Sequence, residues 1–407
     1  MGVEEREGKN LLPILLACDI NVYSMARAFH EAYGVKPLVL CRQINGIFKH
    51  SKIATVQIVD NLDQTEVFRA TMDRVAEQYP DKTRILIGCA DHYVRLVVAN
   101  KEYLKDRFVL PYADQDVMDN IILKETFYNL CSKYDLDYAK TFVFKQGMDY
   151  DFDIPFDFPV VLKPSDSVSY NAHHFEGQHK VYFINDIKTL RDTVKEIYSH
   201  GYDDSMIIQD MIPGKDASIY DLQMYVGSDH KMKLMNMGNV LLEEHTPKGI
   251  GSNAATIVDC HEEIMLKVKN LLEGIGYEGL ADCDMKFDER DGKFKIFEIN
   301  IRQGRSHYRV TGGGDNLAKY IVDDYVYHKP MELKIVREPF FWHVIPLGIV
   351  YRYVKDPKRV AQVKKLVKEG KSCHSLYYSK DNNLIRTLTL KAKDFNQFRK
   401  YKKYLGE

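Results

Sequence analysis

The 407 residues exceed the usual length of one domain, so several packed units are expected. A 45% hydrophobic and 28% charged composition excludes a disordered or fibrous chain, and no run approaches the ~20 apolar residues that a membrane span needs. The net charge of −1 gives no reason to expect a nucleic-acid partner, yet Tyr351–Glu407 carries +11 and the rest of the chain −12.

In chain order, the acidic amino end MGVEEREGKN shows no export or lipid signal, Arg6 standing where a myristoylation site wants Ser or Thr. Leu11–Cys18 reads as a buried strand, followed from Asp19 by a helix with Val22, Met25, Ala26 and Phe29 on one face and Gly34 at its end. Lys36–Cys41 and Arg84–Gly88 read as further strands, the latter leading into a helix after Asp91, so the chain opens as an α/β unit. Its first strand-helix turn lacks G-x-G-x-x-G, which speaks against a nicotinamide fold. Leu110–Asn120, with Pro111 and a cluster of Asp, reads as a connection without apolar period, and Lys124 enters an amphipathic helix through Phe127 and Leu130. Short strands at Val160–Leu162, Val181–Phe183, Met206–Ile208 and Ile219–Val226, with a helix near Ile187–Tyr198, then give an α+β order. Seven cysteines without C-x-x-C fit reduced thiols and a cytoplasmic location rather than a zinc site or disulfide framework.

Leu280–Arg302 carries the chemistry. Ala281, Cys283, Met285 and Phe287 alternate with Asp282, Asp284, Lys286 and Asp288, while Phe297, Ile299 and Ile301 alternate with Glu298, Asn300 and Arg302. A three-residue loop Arg290-Asp291-Gly292, with glycine in the left-handed position, sets Asp284 opposite Glu298 and Asp282 opposite Asn300. Like charges opposed across a ladder cost about 0.2–1 kcal/mol, so a cation is expected between them, and the all-oxygen set Asp284, Glu298 and Asn300 suits Mg²⁺. Arg302, on the same face, is placed to hold a transferring phosphoryl group.

This segment resembles the E-x-N-x-R strand of the ATP-grasp superfamily, and within it the carboxylate–amine ligases of the D-aspartate ligase type. Lys124 resembles the lysine that opens the nucleotide-binding unit, and Val161-Leu162-Lys163-Pro164 the strand whose lysine reaches the ATP phosphates. Gln209-Asp210-Met211-Ile212-Pro213-Gly214 is similar to the interlobe segment that binds adenine, and Asp216 falls at the ribose-binding position. The resemblance implies an ATP-grasp fold with an N-terminal α/β pre-grasp domain over 1–118, a nucleotide- and metal-binding grasp domain over 119–325 and a basic extension over 326–407 packed on it. It also implies ATP and Mg²⁺ as cofactors, with two ions that Mn²⁺ can replace, and an amide-forming reaction through an acyl phosphate. Lys163 and Arg302 would neutralise the phosphoryl charge, and Arg305 would hold the acyl substrate with Ser306 and His307. The partners implied are a carboxylate and an amine, small molecules or peptides, such as D-aspartate and a cell-wall precursor; oligomer formation stays open. The alternative reading is an ATP-binding regulatory module without turnover.

The family's phosphate-covering loop is glycine-rich, but Ser165–Glu176 has no glycine and offers Ser165, Ser167, Ser169 and His173 instead. Lys248-Gly249-Ile250-Gly251 reads either as a clamp on a substrate carboxylate or as a plain turn. The +11 carboxyl-terminal segment reads equally as a means of recruiting an anionic substrate or as solvated helices, Lys364, Lys365 and Lys368 fitting the second.

Overall fold

The run Leu11–Leu16 forms strand β1 with all but Leu12 buried, the pattern of a strand covered on both faces. A computed structural model describes residues 8–406 apart from 247, 248 and 250; the amino end with Arg6, and Lys248 and Ile250 of the Lys-Gly-Ile-Gly segment, lie outside the described residues, as does the side chain of Ser167. Asp19 caps helix α1 (Ile20–Tyr33) by accepting from the Asn21 and Val22 amides, and Gly34 ends it in the left-handed conformation. With β2 (Leu38–Cys41), β3 (Thr55–Ile58) and β4 (Thr83–Gly88) the strand builds a parallel sheet in the order β3-β2-β1-β4. Helices α2 (Thr65–Gln78) and α3 (Asp91–Ala99) complete this α/β unit.

Leu110–Asn120 is not the plain connection that its Asp-rich sequence predicts. Gln115–Ile122 forms helix α4, burying Met118 and Ile121, a repeat too short to show through Asp114, Asp116 and Asp119. Helix α5 (Lys124–Lys133) follows, with Phe127 fully buried.

A second, antiparallel sheet has the order β5-β8-β6-β7, from β5 (Thr141–Phe144), β6 (Val160–Pro164), β7 (Tyr182–Ile184) and β8 (Met206–Asp210). Helix α6 (Ser167–Ala172) stands in the glycine-free loop, and α7 (Ile187–Ser199) packs Leu190, Val194 and Ile197 under the sheet against Phe144, Leu162 and Ile208.

The third sheet has eight strands, and most of its members are β9 (Ile219–Val226), β10 (Met232–Glu243), β11 (Asn253–Val258), β12 (Gly279–Asp288) and β13 (Lys293–Asn300). Helix α8 (Glu262–Gly274) covers one face. Beyond helix α9 (Leu317–Tyr325), the short β14 (Lys334–Ile335) pairs with β10, while β15 (Phe341–His343) and β16 (Ser372–His374) extend the sheet past β11. Helices α10 (Leu347–Tyr353), α11 (Pro357–Lys368) and α12 (Leu384–Leu405) complete the basic end. On α11, Val363 and Leu366 are buried while Lys364, Lys365 and Lys368 face water.

Beneath the central sheet, the fully buried Arg309 donates to Asp221 (2.9 Å), Thr256 (2.8 Å) and Asn236 (2.7 Å). A charge this deep is tolerable only when paired and hydrogen-bonded throughout. Gly238 leaves the room: a Cβ there would lie 2.3 Å from an Arg309 guanidinium nitrogen. Gly238→Ala should therefore cost about 1–3 kcal/mol, read as a lower urea midpoint at unchanged slope. An unshifted midpoint would mean that the guanidinium can swing aside.

Candidate active site

Strands β12 and β13 set the site by their register. Asp282 pairs with Asn300 and Asp284 with Glu298, as the sequence predicts, but a bulge follows, and Met285 to Asp288 pair with Ile296 to Lys293. The loop accordingly has four residues, Glu289–Gly292, not three; Gly292 takes the left-handed conformation (φ 71°). The extra residue on β13 is absorbed at Phe297. Ile296 joins Ile299 and Ile301 in the core, and Phe297, expected on that inner face, instead lines the cleft beside Glu298.

Asn300 donates to Asp284 (3.0 Å) and accepts from Arg302 (3.4 Å). Lys124, at the start of α5, donates to Glu298 at 3.1 Å. The two opposed carboxylates consequently differ. The Lys124 ammonium holds Glu298 down at about 2, whereas burial and then the Glu298 charge push Asp284 up to about 7. Lys163, on β6, reaches the same cleft with its ammonium 5.9 Å from the Phe297 ring centre; burial and then Lys124 push it down to about 8.

Two adjoining clefts of about 320 Å³ each share Lys163, Lys180 and Glu298. One runs toward the carboxyl end of β4 and includes Lys124, Ser165, Asn300 and Arg302. The other lies between the second and central sheets and includes Gln209, Asp210, Ile212 and Asp284. Arg302 is fixed at the cleft by Asp91 (2.9 Å), and Arg305 is ion-paired with Glu244.

Other predicted residues meet the cleft less directly. The Gln209 side chain donates to Tyr128 (2.7 Å) and Thr141 (2.8 Å), so this amide ties β8 to α5 and β5. Asp210 pairs with Arg290 at 2.6 Å. Asp216 accepts from His245 (2.8 Å) and the Glu243 amide (3.0 Å). Beside it, Glu243 lines the cleft, pushed up to about 7 by burial and then by Asp216. Ser165 lines the cleft that holds Lys124 and Arg302, while His173 bonds the Ser169 carbonyl at 3.1 Å.

Sequence reading missed Lys180, Glu243, Phe297 and Asp91. Lys180 sits between elements with no pattern to mark it. Asp91 opens the helix after β4, a position where ligands often meet parallel sheets, and could have been named from topology. Lys286, on the Asp284 face, donates to the carbonyls of Ile212 (2.9 Å) and Gly214 (2.8 Å), pinning the interlobe segment to the central sheet.

Such a cleft, with an oxygen-rich floor and lysines above it, can hold a polyphosphate and its counter-cation. No group of three or more His, Cys, Asp or Glu forms a ready-made metal cluster among the described residues. The oxygen set is completed by an amide, as suits a cation whose remaining ligands are water and phosphate.

No family model matches the chain. Among solved structures, it is similar to N5-carboxyaminoimidazole ribonucleotide synthetase in its ADP complex, with a TM-score of 0.59 and 15% identity over 96% of this chain and 97% of that one. It is likewise similar to the L-amino acid ligase of Bacillus licheniformis, with a TM-score of 0.56 and 14% identity over 78% and 74% of the two chains. The three-sheet architecture is the ATP-grasp fold, shared with these enzymes. In sequence, the chain is 37% identical over 410 aligned residues to D-aspartate ligase of Enterococcus faecium (strain Aus0004), covering 98% of this chain and 97% of that protein. It belongs to the D-aspartate ligase family, and is an ATP-dependent carboxylate–amine ligase. The reading as a module without turnover gains no support.

The raised Asp284 carboxyl carries a pH signature. Its folded pKa lies above the ordinary 3.8, so between about pH 4 and 7 the native state binds the extra proton, and this group's contribution to stability falls as pH rises. In EDTA, Asp284→Asn should gain stability relative to the parent as pH is raised from 4 to 8, measured by urea unfolding. A difference independent of pH would remove the buried, opposed-carboxylate reading.

Proposed function

We propose that this ligase activates a carboxylate with ATP and passes the acyl group to an amine in the cytoplasm, with D-aspartate as one substrate and a peptide or cell-wall precursor as the other. The observation that carries it is the Asp284–Glu298 pair at the junction of two adjoining clefts, with Lys124 bonded to Glu298 and Lys163 lining both. The D-aspartate assignment rests on the enterococcal relative.

Asp284, Glu298 and Asn300 fit Mg²⁺: all three present oxygen, and the elevated Asp284 carboxyl marks a buried negative site without its own cation. They would hold two Mg²⁺, replaceable by Mn²⁺, which neutralise the terminal phosphates when bound. Lys163 takes the phosphate charge from one wall, Arg302, oriented by Asp91, from the other, with Lys180 between. Lys124 keeps Glu298 ionised and aimed. Adenine lies along the Gln209–Ile212 segment against Val161 and Phe297, and ribose near Glu243 and the Asp216 that bonds its amide. The Gln209 side chain is engaged by Tyr128 and Thr141, so it positions the segment rather than reading the base.

In the reaction, a substrate carboxylate oxygen attacks the γ-phosphorus, the bond to the ADP oxygen breaks, and an acyl phosphate forms. The amine then attacks the acyl carbon, phosphate departs, and the amine gives up a proton to leave an amide. Arg305, held by Glu244, orients the acyl substrate. The protein supplies position and charge without a covalent nucleophile.

Hydroxylamine added with ATP, Mg²⁺ and D-aspartate should trap the acyl phosphate as a hydroxamate, while other amino acids yield less. Hydroxamate from none of the amino acids tried would reject the acyl-phosphate route. Glu298→Gln and Asn300→Ala should each fold normally and lose about 100-fold or more in Mg²⁺-dependent turnover. Near-parental turnover in both would dismiss the metal assignment.

A further inference from the structure

Helix α12 (Leu384–Leu405) has an ordinary docked face. Arg386, Leu390, Gln397 and Tyr401 are buried, Arg386 pairing with Asp381 (3.1 Å) and donating to the Ile47 carbonyl, and Tyr401 donating to the Glu243 carbonyl (2.7 Å). A surface helix should carry charge on the face opposite its core contacts. Here that face is instead mostly apolar: Leu384 is 76% exposed, Leu388 59% and Phe395 68%, and at 100° per residue they lie opposite the docked stripe. Ile385 and Phe398 widen the patch. Isolated exposed apolar residues need no partner, whereas a contiguous stripe of this kind does.

The charges on the same helix select the partner. Leu384–Leu405 holds seven Lys/Arg and one Asp, and Asp394 is engaged by Tyr377. Lys391 and Lys402 stand within the apolar stripe, with Arg399 and Lys403 exposed nearby. A second copy of the chain laid on this face would set those cations against their own counterparts. A protein groove would have to bury Lys391 and Lys402 along with the leucines. Against a bilayer neither difficulty arises, since lysine stems can lie along the apolar surface while their ammonium groups reach anionic headgroups.

We infer that the outer face of α12 docks the enzyme on an anionic lipid surface, with Leu384, Leu388 and Phe395 inserted at the headgroup boundary and Lys391, Arg399, Lys402 and Lys403 paired with lipid phosphates. No helix among the described residues is long and apolar enough to cross a membrane, so this is peripheral attachment. Because the docked face touches Glu243, which lines the nucleotide cleft, attachment would hold the cleft about one helix diameter, ~10 Å, from the surface.

The test is flotation of the full chain with vesicles of phosphatidylcholine alone or containing 30% phosphatidylglycerol. Flotation is expected with the anionic vesicles only, and should fall several-fold at 0.5 M NaCl. Leu388→Asp/Phe395→Asp should abolish it. Lys391→Gln/Arg399→Gln/Lys402→Gln/Lys403→Gln should weaken it at least several-fold, both variants keeping parental circular dichroism and solution turnover. No flotation with anionic vesicles, or equal flotation of the Asp variant, would overturn the proposal. So would a dimer in sedimentation that Phe395→Asp dissociates, which assigns the face to a second copy.

Discussion

The molecule is organised around two carboxylates that the β12–β13 ladder forces together. Asp284 and Glu298 have no freedom to separate, because each is fixed by backbone pairing to the other's strand, and an opposed like-charge pair is a standing cost. The protein meets that cost unevenly. Lys124 compensates Glu298 from a helix outside the sheet, and Asn300 donates one hydrogen bond to Asp284, which remains the uncompensated member. Folding thus leaves a local deficit of positive charge beside Asp284, the place where the proposed divalent cation would sit, and Lys124 and Lys163 line the same region.

The same face of the sheet carries this logic further from water. Asp221 stands opposite Asp284 across the ladder, and there Arg309 answers Asp221 with a hydrogen-bonded ion pair, while Gln223 bridges Asp221 and Asp282 at 2.9 and 2.6 Å. This buried group is closed: its cation is covalently part of the chain. The Asp284–Glu298 pair opens on the cleft, where the proposed cation would come from solution. A ligand-dependent charge balance is therefore confined to the cleft, where a substrate can act on it.

The amino-terminal alternation of β1, α1 and β4 was legible because apolar periodicity, the Asp19 cap and Gly34 all point the same way. The opposed pair was also legible, though the loop length assigned to the hairpin was wrong. Two local differences cancelled: a loop one residue longer than expected, and a bulge at Phe297 that restored the pairing from Glu298 onward. A bulge leaves little trace in a strand whose residues are all plausible on either face, so the fate of Phe297 could not be read from alternation. Lys180 and Glu243 escaped for a different reason. They come to the cleft only through the packing of the second sheet over the central one, a relation without local sequence signal.

That packing depends on a small number of polar ties. Lys286 leaves the same strand as Asp284 and donates to two carbonyls of the segment after β8, while Gln209, at the end of β8, bonds back to α5 and β5. The interlobe segment is thus held from both sides by side chains that spend their hydrogen bonds on protein. Its main chain is tied as well: the Asp210 amide donates to the Lys140 carbonyl (2.9 Å), the Met211 amide to the Pro159 carbonyl (3.3 Å), and the Ile212 carbonyl accepts from Lys286. The wall that Asp210, Met211 and Ile212 present to the cleft is thus shaped before any ligand arrives. Because Lys286 binds main-chain carbonyls, which every residue type presents, the side chains at 211–212 can vary while the ties at Lys286 and Gln209 continue to set the shape of this wall of the cleft.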